Sequence, residues 1–126
     1  MDFTPTYGAV LARNIRAARS RLDINQESLA ARMRALGYSA WLRQTVSDTE
    51  RRRRRITVEE VFGLAWALET SIGSLMRPAG EDLAVTLPSG ALIGATSVSE
   101  MVGRGVNNGA VKWAGDSPFV TGSPAA

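Results

Sequence analysis

The chain has no histidine and no cysteine. These absences remove the usual zinc ligands, the usual general base and the usual thiol nucleophile. They also exclude any disulfide. No apolar run approaches the roughly 18 residues that span a bilayer. The start, Met1-Asp2-Phe3-Thr4, is acidic and lacks the basic-then-apolar order of a signal peptide. No Gly-rich phosphate loop follows an apolar strand pattern, the carboxylates are few and scattered, and no Ser–Lys or carboxylate pair stands out. The expectation is a cytoplasmic protein that is not an enzyme, without metal or cofactor and without membrane association.

Lysine is also nearly absent: 14 of the 15 basic residues are arginine. Arginine forks onto phosphate and guanine more specifically than lysine does, although a coding bias toward arginine explains such an excess equally well. The placement says more. Residues 1–80 hold 13 arginines against 8 acids, whereas residues 81–126 hold two bases against four acids. The first part is therefore the candidate for a polyanionic partner.

Leu11, Ile15, Ala18 and Leu22 recur at helical spacing and predict a first helix over Tyr7–Leu22, with Arg13 and Arg16 on its other face. Asn25 suits the N-cap of a second helix whose buried side is Leu29, Ala30, Met33 and Leu36, and Gly37 suits its end. A third helix runs to Arg51 from a start at Ser39 or as late as Leu42, with Leu42, Val46 and Thr49 inward and Arg43, Gln44, Ser47 and Asp48 outward. Thr57 and Glu60 form a capping-box pair for a fourth helix with Val61, Leu64, Ala65 and Leu68 as core; Phe62 and Trp66 are read as core too. A short fifth helix fits Ser71–Arg77 before Pro78.

Beyond Ala79 the style changes. Leu83, Val85 and Leu87 alternate, Pro88-Ser89-Gly90 turns, and Ala91–Thr96 returns as a strand. Ser97 and Glu100 cap one helical turn, Gly103–Gly109 is a loop, and Val111-Lys112-Trp113 is a last short strand. The expected organisation is a helical domain over 1–78, a small β-hairpin-containing extension over 79–115, and a flexible tail over 116–126. The extension is too small for its own core and must pack on the helices or on a second copy, as a stabilising flap or a dimerisation arm.

Polar residues on the outer face of a third helix suit the major groove, about 12 Å wide. The second helix would then brace the third and turn its N-terminus, with Gln26, toward a phosphate. The run Arg51, Arg52, Arg53, Arg54 and Arg55 reads either as a solvated loop or as a phosphate-binding segment whose self-repulsion the DNA backbone relieves. The second reading is preferred because the run follows the third helix directly.

Three stretches carry a family resemblance: Asn25-Gln26-Glu27-Ser28-Leu29-Ala30, Gln44-Thr45-Val46-Ser47-Asp48-Thr49-Glu50-Arg51, and Ala65-Trp66-Ala67-Leu68-Glu69-Thr70-Ser71 leading to Leu75-Met76. Over residues 8–78 the sequence resembles the phage-repressor-like (Cro/cI, XRE family) helix-turn-helix regulators. The resemblance implies a mostly α, five-helix domain, usually a homodimer, that binds double-stranded operator DNA. It puts Arg43, Gln44 and Thr45 near base edges with Ser47 and Asp48 one turn on, and gives Gln26 a backbone or supporting contact. It also implies a structural ion pair between Arg19 and Glu50. Met33–Leu42 is longer than the family's tight turn, and Trp41 within it reads either as a lid over the core or as a contact to the DNA backbone, the core being preferred because large aromatics are mostly buried. The rival expectation is an antitoxin-type protein whose residues 79–115 bind a partner protein.

Overall fold

A computed structural model describes residues 4–79 and 82–103. Among the described residues the protein is mostly helical: α1 (Tyr7–Arg21), α2 (Gln26–Ala35), α3 (Arg43–Glu50), α4 (Val58–Ala67) and α5 (Ile72–Met76) precede strands β1 (Ala84–Thr86) and β2 (Leu92–Gly94) and helix α6 (Ala95–Val102). The expected strand over 111–113, the tail over 116–126 and the loop beyond Gly103 lie outside the described residues.

Short polar side chains start four of the first five helices. Thr6, Asn25, Thr57 and Ser71 accept the backbone N–H of Ala9, Ser28, Glu60 and Ser74, each satisfying one of the amides a helix start leaves free. α3 differs. Its cap is Leu42, which has no capping atom, and the Thr45 hydroxyl instead accepts the Leu42 N–H.

The ends of α1 to α4 share one device. The residue after each C-cap (Asp23, Gly37, Arg52 and Glu69) has positive φ, and the residue following it donates back five positions, as Arg53 N–H does to the Asp48 carbonyl at 2.7 Å. Only Gly37 takes that conformation freely; at the other three the left-handed backbone costs about 1–2 kcal/mol, offset by the carbonyls it satisfies.

The main core lies between α1 to α5. Ile15 of α1, Leu29 and Met33 of α2, Val46 of α3, Leu64 and Leu68 of α4 and Leu75 of α5 are all essentially inaccessible to water. Each such side chain contributes about 1.5–3 kcal/mol of burial. Asn14 ties α1 to the end of α5 by donating to the carbonyls of Leu75 and Arg77, both at 2.7 Å.

Several expectations need correction. Of the two starts expected for α3, Ser39 lies in a turn outside the helix, which begins only at Arg43 after the cap Leu42. Leu42, expected inside, is the extended cap residue and is 58% exposed. Phe62, expected in the core, is 62% exposed. It stands one residue, and so about 100° of helix, from Val61, and the inward stripe of α4 runs through Val61, Leu64, Ala65 and Leu68 instead. The return strand stops at Gly94, and Ser97 is a residue inside the two-turn helix α6 rather than a cap.

The extension folds back onto α1. β1 and β2 pair antiparallel with Val85 opposite Ile93, and Gly90 (φ 90°) makes the turn. The segment before α1 joins the hairpin: Thr86 N–H donates to the Pro5 carbonyl at 2.8 Å. Val85 and Val98 bury against Val10 of α1, with Tyr7, Ile93 and Val102 around them. An ion pair of 2.6 Å joins Arg13 to Asp82.

Candidate nucleic-acid interface

α3 is packed against both α1 and α2, so a broad arc of a short helix is covered. Val46 and Thr49 face the core, and Ser47 goes with them at 8% exposure. This corrects the expectation for Ser47, which belongs to the outer face by pattern alone; the double packing of α3 leaves it buried. Arg43 and Gln44 are exposed, while Thr45 and Asp48 are half-buried. Gln44 Nε2 donates to Asp48 Oδ1 at 2.9 Å across one helical turn. That bond holds the Gln44 amide outward and leaves its oxygen and its second N–H free. Thr45 is partly committed, since its hydroxyl closes the start of α3.

Behind this face sits a half-buried ion pair. Arg19 Nε donates to Glu50 Oε2 at 2.7 Å and Arg19 Nη2 to Glu50 Oε1 at 3.0 Å, a two-pronged geometry that fixes both side chains. Arg19 Nη1 donates to the Ile24 carbonyl and Gln26 Nε2 to Glu50 Oε1 at 3.3 Å. The Glu50 hydrogen bond, opposed by burial and aided by the carboxylate's charge, holds the Arg19 pKa above its ordinary value. The cluster ties the end of α1, the start of α2 and the end of α3 into one unit. Gln26 thus supports α3, and the Glu50 carboxylate is engaged by Arg19 and Gln26.

The five arginines separate into different environments. Arg54 turns inward: it donates to Glu60 Oε2 at 2.8 Å and to Thr49 Oγ1 at 3.2 Å, and its guanidinium lies 5.2 Å from the centre of the Trp41 ring. Its expected place among the phosphate contacts is therefore corrected to a structural one. Arg51, Arg52, Arg53 and Arg55 are exposed and have no ion-pair partner among the described residues. Arg43, at the start of α3, is exposed as well, and Asp48 is the one acid that α3 contributes outside its core.

The long connection from α2 to α3 is anchored on α4. Trp41 is 3% exposed and its Nε1 donates to Glu60 Oε2 at 3.0 Å. Arg34 donates to the Trp41 carbonyl at 2.8 Å. Tyr38 lies on Gly63 and donates to the Glu59 carbonyl; a Cβ at Gly63 would fall 2.4 Å from the Tyr38 ring. Burial opposes ionisation of Glu60, but hydrogen bonds from Arg54, the Thr57 N–H and Trp41, with the Arg54 charge, outweigh it and lower its pKa. Nothing local in the sequence announces this junction, because Arg34, Trp41, Arg54 and Glu60 meet only through the fold.

Comparison with known proteins finds no matching family model, no matching curated protein and no matching solved structure. Function must come from the surface itself. Among the described residues no group of acids could hold a metal ion, and no helix is long and apolar enough to cross a membrane.

Proposed function

We propose that the chain is a sequence-specific DNA-binding regulator of the phage-repressor-like helix-turn-helix kind, most simply a repressor that binds a palindromic operator as a homodimer. One observation carries this reading: an exposed α3 face with Arg43, Gln44 and Asp48 is braced from behind by Arg19, Gln26 and Glu50 and followed at once by unpaired arginines. In the major groove Arg43 forks onto the guanine edge. Gln44, oriented by Asp48, offers the adenine edge one donor and one acceptor. Arg51 and Arg53 lie along the phosphate backbone, exchange their mutual repulsion for contacts to it and release counterions. In a dimer two such helices stand about 34–36 Å apart on one face of the duplex.

Selection of bound duplexes from random fragments, at two salt concentrations, tests the reading. The expected result is a symmetric preferred site. Gln44→Ala should relax one base position by about 1–3 kcal/mol. Arg51→Ala with Arg53→Ala should weaken all duplexes alike and lower the salt slope by roughly two. Absence of any sequence preference sinks the proposal.

A second reading has its own support. Leu83 (88% exposed), Leu92 and Met101 (74%) leave apolar side chains in water on the extension, as a surface that binds a partner protein would. An antitoxin-type protein would use that surface, and co-purification of a small partner dependent on Leu83 and Met101 would favour it.

A further inference from the structure

A cleft of about 490 Å³ opens between the first turn of α1 and the loop that joins α3 to α4. Its floor is apolar: Leu11 is buried and Ile56 packs against the main core. The Tyr7 hydroxyl already donates to the Met76 carbonyl at 2.8 Å, so Tyr7 offers its ring. Gly8 keeps one wall bare, since a Cβ there would meet nothing closer than Thr6 Oγ1 at 4.0 Å. The rim carries Arg52 and Arg55, both exposed and without an ion-pair partner, whereas the neighbouring Arg54 is held by Glu60. Arg52 also borders an adjoining cleft of about 300 Å³ beside Arg16.

The main chain at Arg52 is fixed, which sets where its side chain leaves the loop. Its φ of 60° is set by the hydrogen bonds that close α3, Arg52 N–H to the Thr49 carbonyl and Arg53 N–H to the Asp48 carbonyl. Two cations of like sign thus stand over an apolar hollow whose size suits a small ligand, a class that ordinarily occupies roughly 300–1,000 Å³. An anionic head group would relieve the repulsion between them through charge-assisted, two-pronged hydrogen bonds, and an apolar body would remove the floor from water.

We infer that this cleft binds a small organic anion, an apolar body bearing a carboxylate or phosphate, with Arg52 and Arg55 holding the head group and Gly8, Leu11 and Ile56 enclosing the body. The arginine run then serves three separate roles. Arg51 and Arg53 remain for a polyanion, Arg54 holds the fold, and Arg52 and Arg55 hold the ligand. The inference does not depend on the DNA-binding reading, since a chain that selects no duplex can still hold the anion.

Phenyl phosphate serves as the probe, compared by calorimetry with inorganic phosphate and benzyl alcohol on the full chain. The expected result is one site per chain, with phenyl phosphate at least about tenfold tighter than either fragment, because head and body then bind together. Gly8→Leu, which fills the hollow while replacing glycine with a better helix former, should weaken phenyl phosphate about tenfold, as should Arg52→Ala with Arg55→Ala. Arg51→Ala with Arg53→Ala should leave it unchanged. Circular dichroism checks that each variant is folded, and amide shifts of Gly8 and Ile56 in the unsubstituted chain locate the probe whatever the variants do. Equal affinity for phenyl phosphate and inorganic phosphate, or shifts confined to other residues, overturns the inference. A duplex weakened by Gly8→Leu as much as phenyl phosphate also overturns it, because the anion in the cleft would then be a DNA phosphodiester.

Discussion

Helix α1 serves two hydrophobic clusters that differ in kind. One side, through Leu11, Ile15 and Ala18, enters the main core shared by five helices; another, through Val10, supports the small cluster of Val85 and Val98. The main core draws on five helices and is further tied by the Arg19–Glu50 pair and the Trp41–Arg54–Glu60 junction. The small cluster relies on α1, the Pro5–Thr86 backbone bond and the Arg13–Asp82 pair. The difference points to a one-sided dependency, which the substitutions below test: two three-residue strands and α6 bury too little to stand without α1, whereas the core of the helical body is built from α1 to α5.

The largest expected effect tests the main core. Leu64→Ala should cost about 4 kcal/mol in urea unfolding, from lost burial plus the cavity left behind, and should lower the signals of both clusters together. Loss of the hairpin alone would reverse the dependency. Next, Glu50→Ala leaves the half-buried Arg19 guanidinium without its carboxylate and should cost about 2 kcal/mol, as hydrogen bonds to charged groups do. It should also loosen α3 against α1 and α2, visible as faster amide exchange at Val46.

The third prediction concerns acid. The folded-state pKa of Glu60 is lowered, so its carboxylate adds stability that is fully present above the unfolded value, near 4.3, and is lost as pH falls through the folded value. Glu60→Gln should therefore be less stable than the parent by about 1–2 kcal/mol at neutral pH, with the gap closing as acid protonates the parent. A gap independent of pH down to acid unfolding would mean that Glu60 acts by shape rather than charge. The smallest effect belongs to the extension. Val98→Ala should cost about 1.5 kcal/mol, appearing as local opening at Thr86 and Ile93 while the Leu64 region stays protected. Global unfolding at that substitution would erase the distinction between the clusters.

Much of the helical body is legible in the residues. The caps Asn25 and Thr57, the stop at Gly37 and the stripe Leu11–Ile15–Ala18 each follow from interactions within a few positions. The start of α3 is less legible, because its cap Leu42 has no capping group and Ser39 offers a better local signal that the fold ignores. Phe62 misleads because hydrophobicity marks a residue as able to be buried, while the helical phase decides which side faces the core. At the candidate site Arg43, Gln44 and Asp48 lie on the face expected of them, but Ser47 and Arg54 do not.

By itself, then, the chain's order of residues determined where most helices begin and end, which stripe of each is apolar, and that positive charge gathers before residue 80. Those are short-range properties of hydrogen-bonding and periodicity. Only the tertiary structure decided which of five adjacent arginines turns inward, that Trp41 and Glu60 meet, that the hairpin rests on Val10, and that a cleft opens beside Arg52. These outcomes depend on partners tens of residues away, and the solvation of a charge depends on everything packed around it rather than on its neighbours in the chain.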